Sequence, residues 1–146
     1  MDHLIFTENG TAAGVARAHC VLETSACRFA VSVRGSGGEH AGFWKCPVSD
    51  CLVILSGNAV VVVDLTNPAR HAFVDVQWVA GPPLVTSRYI VLWSFWAVTL
   101  IASSSEITEE RYDNADIEAV ALHMHPERLE MRMFVEGRAV ERTLLL

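Results

Sequence analysis

The sequence predicts an all-β protein, an antiparallel meander of roughly 11–13 short strands folded into two stacked sheets. Three observations carry this expectation. Apolar residues recur at every second position or in short β-branched runs, helical periodicity is hard to find, and turn-forming clusters return about every ten residues. The 146 residues suit a single domain spanning 1–146, and with 51% hydrophobic and 19% charged residues the chain lies far from disordered compositions.

Near the N-terminus only Ala12 to Ala18 admits a short helical turn. Arg28 to Arg34 is the first clear strand, with Phe29, Val31 and Val33 on one face. Leu52 to Ser56 and Ala59 to Asp64 are continuous apolar runs joined by Gly57-Asn58, a dipeptide able to supply the positive φ of a tight hairpin. They predict a central hairpin covered on both faces. His71 to Trp78 alternates, placing Ala72, Val74, Val76 and Trp78 together, so Trp78, like Trp44, is expected in the core. Arg128 to Val135 alternates as well, with Leu129, Met131, Met133 and Val135 facing one way. His125 to Arg128 reads as the loop from a strand over Ile117 to Met124, and Glu136-Gly137 leads into a last strand, Ala139 to Leu145. The remaining loops fall at Glu8 to Thr11, Gly35 to His40, Thr66 to Ala69, Gly81 to Pro83, Ser103 to Ser105 and Asp113 to Asp116, each rich in Gly, Pro, Asn, Asp or Ser.

Charge narrows the partners. A formal net charge of −6, with Lys45 the single lysine, argues against nucleic acid, whose phosphates need clustered Lys and Arg. The greasiest stretch, Tyr89 to Ala102, is too short to span a bilayer and contains Ser94 and Thr99, so no membrane span is expected. The N-terminus has Asp2 and no basic region, unlike a secretory signal, so the expected compartment is the cytoplasm. Cys20, Cys27, Cys46 and Cys51 lack the spacing of a zinc knuckle and read as free buried thiols.

Sliding the chain by 37 residues lays the segment from Leu52 over the segment from Tyr89, and a third copy of the hairpin pattern starts near Ala119. This period resembles the blades of β-propeller repeats, a likeness at the level of fold alone. It implies, as the alternative to two stacked sheets, a partial propeller-like sandwich, since four complete blades need a longer chain.

Two constellations are candidates for chemistry. His123-x-His125, with Glu130 and then Gly137 downstream, resembles the first metal-binding motif of the cupin family, in which two histidines and a glutamate hold a divalent metal. That resemblance implies His123, His125 and Glu130 as ligands, although Ile117 stands where the family's motif opens with glycine, and no second motif follows. The plainer reading pairs Met124 with Leu129, turns Val120, Leu122, Met131 and Met133 to the core, and leaves His123 opposite Glu130 as a solvated ion pair beside Arg132. The second constellation is Trp93, Phe95 and Trp96, rings on a turn that anchor a partner or stack on a sugar, or else fold over the core.

G-x-S-x-G, GKS/T, G-x-G-x-x-G and H-E-x-x-H are absent from the chain, so no catalytic residues are assigned. The leading expectation is a non-catalytic protein-interaction module, taking a protein partner or a second copy and no cofactor. The alternatives are a cupin-like metal-binding protein or small metal-dependent enzyme with a divalent metal, and a small-ligand or carbohydrate binder.

Overall fold

The structure is a computed structural model that describes residues 2–7, 16–23, 28–34 and 40–146. Every regular element among them is a strand. The first sheet holds β1 (Asp2–Thr7), β2 (Ala16–Glu23) and β3 (Arg28–Arg34) in the order β1-β3-β2, with β1 parallel to β3. The second is the antiparallel meander β4 (Ala41–Lys45), β5 (Cys51–Ser56), β6 (Ala59–Asp64) and β7 (His71–Asp75). The third is β8 (Leu84–Val85), β9 (Ile90–Trp93), β10 (Ala97–Ile101) and β11 (Ile107–Arg111), and the fourth is β12 (Ala115–His123), β13 (Arg128–Val135) and β14 (Arg138–Leu145). None closes into a barrel. No helix long and apolar enough to cross a membrane occurs among the described residues.

The stack has four layers, where the sequence led us to expect two. Each strand has a period of two, so a sheet with apolar residues at successive positions has two faces to cover. In β5 and β6, Val53, Leu55, Val60 and Val62 pack on Ile90, Leu92 and Ile101 of the third sheet. Their neighbours Leu52, Ile54, Val61 and Val63 pack on Val31 and Val33 of the first. The third sheet repeats the arrangement, turning Val91, Trp93, Val98 and Leu100 toward Ile117, Leu129, Met131 and Met133 of the fourth. Continuous apolar runs therefore mark the two inner layers. The alternating strand β13 marks an outer one, with Arg132 and Phe134 exposed on its far face.

The segments related by the 37-residue shift are β5–β6 and β9–β10, which hold equivalent central places in their sheets. Their turns differ: β5–β6 closes on Gly57-Asn58 and β9–β10 on Ser94 to Trp96. Gly57 has φ +62° while Asn58 keeps a negative φ, the signature of a type II′ hairpin. In the β13–β14 turn Glu136 and Gly137 both have positive φ, 50° and 76°, the signature of type I′.

Three local expectations are corrected. Residues 16–18 open strand β2 instead of forming a helical turn, and residues 12–15 lie outside the described segments. The β12–β13 hairpin pairs Leu122 with Leu129 and His123 with Arg128, so each residue from Ala119 to His123 pairs two positions nearer the turn in β13 than expected, and a register shift between Ile117 and Ala119 adds one more beyond it. A slip of two preserves the faces, and Val120, Leu122, Met131 and Met133 still line one side. Trp78 is 44% exposed: β7 ends at Asp75, the alternation of buried and exposed residues runs on only as far as Gln77, and Val79 takes the buried place instead.

Candidate functional site

The turn from β9 to β10 consists of Ser94, Phe95 and Trp96. Ser94 is buried, and its hydroxyl oxygen accepts hydrogen bonds from the backbone N–H groups of Trp96 at 3.2 Å and Ala97 at 3.1 Å. The turn carbonyls are also held. Ile117 donates its N–H to the Phe95 oxygen at 2.7 Å, and Tyr112 donates to the Trp96 oxygen at 2.8 Å. With its backbone tied on both sides, the turn presents Phe95 and Trp96 outward, each 40% exposed. Trp78, arriving from the segment after β7, stacks on Phe95 with ring centroids 6.5 Å apart and planes 23° apart. Phe95 meets Trp96 edge-on at 6.1 Å. Two sheets thus build one contiguous, exposed aromatic patch.

This divides the expected trio. Trp93 belongs to the core between the third and fourth sheets, whereas Phe95 and Trp96 face solvent and gain Trp78 as a third ring. Strand alternation hid Trp78. The signal that could have exposed it is the Gly81-Pro82-Pro83 stretch close behind, which ends the strand early.

Two hollows that Trp96 lines adjoin the patch, and a third lies near them. Trp96, Asn114, Ala115, Asp116 and Glu136 line an open one of about 700 Å³. Trp96 also borders a narrower hollow with Asp75, Gln77, Glu109 and Arg111, where Arg111 is held by Glu109 at 3.2 Å. A third, of about 350 Å³, has Ala115, Met133 and Val135 among its apolar lining and Tyr112 and Arg142 beside them. Burial, reinforced by Glu110 and opposed by Arg142, pushes the Tyr112 hydroxyl above its ordinary pKa.

The structure brings together two of the three residues in the cupin-like segment. His123 Nε2 lies 3.0 Å from Glu130 Oε2, and the other carboxylate oxygen accepts from Arg128 Nε at 3.1 Å. Arg132 instead pairs with Glu118. His125 sits at φ +63° in the turn before β13, and no group of three or more His, Cys, Asp or Glu among the described residues is arranged to hold a metal. Exposed ion pairs contribute little, so Glu130→Gln is expected to change unfolding free energy by less than about 1 kcal/mol. Urea denaturation at neutral pH checks this.

Cys46 and Cys51 are buried free thiols, and Cys46 donates its backbone N–H to the Cys51 carbonyl at 2.9 Å. The side chains of Cys20 and Cys27 lie outside the described set. Burial pushes the Cys46 thiol up; a hydrogen bond from Ser49 opposes this, Cys51 adds to it, and Lys45 opposes it. The native thiol thus holds its proton more tightly than the unfolded one, whose pKa is about 8.5. Its contribution to stability is complete below that value and is lost as pH rises through the native pKa. Relative to Cys46→Ala, wild-type protein should lose stability as pH rises above about 8.5, as read from urea midpoints; a pH-independent difference contradicts it.

Comparison with known proteins returns no match, whether against family models, curated sequences or solved structures.

Proposed function

We propose that this chain is a non-catalytic interaction module that docks a protein partner on Trp78, Phe95 and Trp96. The observation that carries the reading is the patch itself: two rings held outward by a turn whose backbone is tied down on both sides, with Trp78 stacked on one of them. Tryptophans placed in this way dominate the affinity of interfaces, because each removes a large apolar area from water at low cost in side-chain entropy. A turn ordered in advance reduces the ordering cost of association. For compartment we propose the cytoplasm, where buried free thiols such as Cys46 and Cys51 stay reduced.

The test is quantitative affinity capture with the wild-type protein and with the Trp78→Ala/Phe95→Ala/Trp96→Ala variant, whose fold is checked by circular dichroism. Partners enriched on wild type are expected to fall at least about tenfold on the variant, given hot-spot losses of about 2 kcal/mol or more. Equal enrichment on both proteins rejects the reading. A second reading, a carbohydrate or small-ligand site, draws support from the open hollow beside Trp96. Tryptophan fluorescence across a glycan panel separates the two.

A further inference from the structure

We infer, resting on the docking reading above, that the partner segment seats an arginine side chain on Trp96, with its guanidinium against the carboxylates of Asp116 and Glu136. Trp96, Asp116 and Glu136 line the same open hollow, together with Asn114. Neither carboxylate makes a hydrogen bond or ion pair with any described residue. Arg111, which borders the adjoining hollow with Trp96, is engaged by Glu109. The hollow therefore combines an exposed indole with two unpaired negative charges.

That combination matches one side-chain chemistry closely. A guanidinium is planar and only weakly hydrated, so it stacks on an indole while its N–H fork points in the ring plane toward carboxylates. An apolar side chain uses the ring and leaves the carboxylates to be desolvated without a partner. An acidic segment meets like charge, and the chain's net charge of −6 reinforces that preference at longer range. Asn114, held at φ +56° beside Ala115, adds an amide that can bond the backbone of an incoming segment.

The probe is an acetylated, amidated Gly-Gly-Arg-Gly-Arg-Gly-Gly peptide, compared with its citrulline counterpart, which keeps the shape and lacks the charge. The readout is the set of four indole N–H signals in a ¹⁵N-labelled sample of the full chain, titrated into the millimolar range. Arginine peptide is expected to shift the Trp96 signal and leave buried Trp93 unmoved, while citrulline peptide shifts neither. Asp116→Asn with Glu136→Gln should weaken binding at least about tenfold. Asp50→Asn with Glu106→Gln, the same change in net charge at the end of β10 remote from Trp96, should leave it unchanged. Equal binding of the two peptides, or equal weakening by the two charge variants, overturns the arginine seat. So does a silent Trp96 signal in protein that still captures its partner through the aromatic patch, a result that leaves the docking reading intact. Self-association abolished by Trp96→Ala gives the face to a second copy and also overturns the inference.

Discussion

Leu92→Ala is expected to lower the unfolding free energy by roughly 2–5 kcal/mol. Leu92 is fully buried on β9, and its side chain packs in the cluster that joins the second and third sheets, among Val53, Leu55, Val60 and Val62. Truncation loses the transfer free energy of the deleted carbons and leaves a cavity. The cavity has little means of collapsing, because the walls on both sides are hydrogen-bonded ladders, β5–β6 and β9–β10. Urea denaturation reads the effect as a fall in midpoint at unchanged slope. Leu145→Ala, at a residue that is 69% exposed, is the internal comparison and should stay within about 0.5 kcal/mol. Similar losses at the two positions would mean that the second and third sheets are not packed on each other.

Gly81→Ala acts by the opposite mechanism, overpacking, and should cost about 1–3 kcal/mol. A methyl group built on Gly81 would lie 2.5 Å from Cζ2 of Trp93 and 2.8 Å from its Cε2. Neither partner yields easily. Trp93 is a rigid, buried bicycle wedged among Val91, Val98, Leu129 and Met131, and its carbonyl accepts the N–H of Ala80 at 3.0 Å, which ties the segment beside Gly81 to β9. Trp93→Phe removes the atoms that clash. The pair should therefore be non-additive, with Gly81→Ala costing less in the Trp93→Phe background than in wild type. Thermal or urea unfolding of the four proteins of the cycle measures the coupling, and strict additivity would place Gly81 away from the indole.

Both substitutions probe the packing behind the aromatic patch without touching its exposed rings. Trp93 at the end of β9 points inward while Phe95 and Trp96 point outward, so a core ring and the exposed rings lie two and three positions apart. Variants at Leu92 and Gly81 should lower stability while leaving the solvent-facing chemistry of Trp96, Asp116 and Glu136 unaltered in whatever fraction remains folded.

Much of this architecture was legible from residues close together in the chain. Period-two alternation at Arg128 to Val135, the β-branched run Ala59 to Asp64, and the dipeptides Gly57-Asn58 and Glu136-Gly137 all act through local backbone preference, and each lies where it was expected. The faces of β12 and β13 were legible too, since a register slip of two leaves them unchanged. The meeting of His123 with Glu130 followed from the same hairpin, although as a diagonal contact instead of a direct one.

Other features depend on residues that meet only after folding. The parallel pairing of β1 with β3 and the count of four sheets both require knowing which surface covers which, and no local pattern carries that information. The aromatic patch is the clearest case. Strand periodicity placed Trp78 inside and could not separate Trp93 from Phe95 and Trp96. Tertiary contacts decided it: Ile117 and Tyr112 hold the turn from the far side, Met131 and Leu129 claim Trp93, and Trp78 is left to stack on Phe95. Alternation and turn chemistry come from bonded neighbours, so the sequence by itself determined the strands and hairpins. Burial is shared between segments distant in the chain, so only the tertiary structure decided which rings meet water.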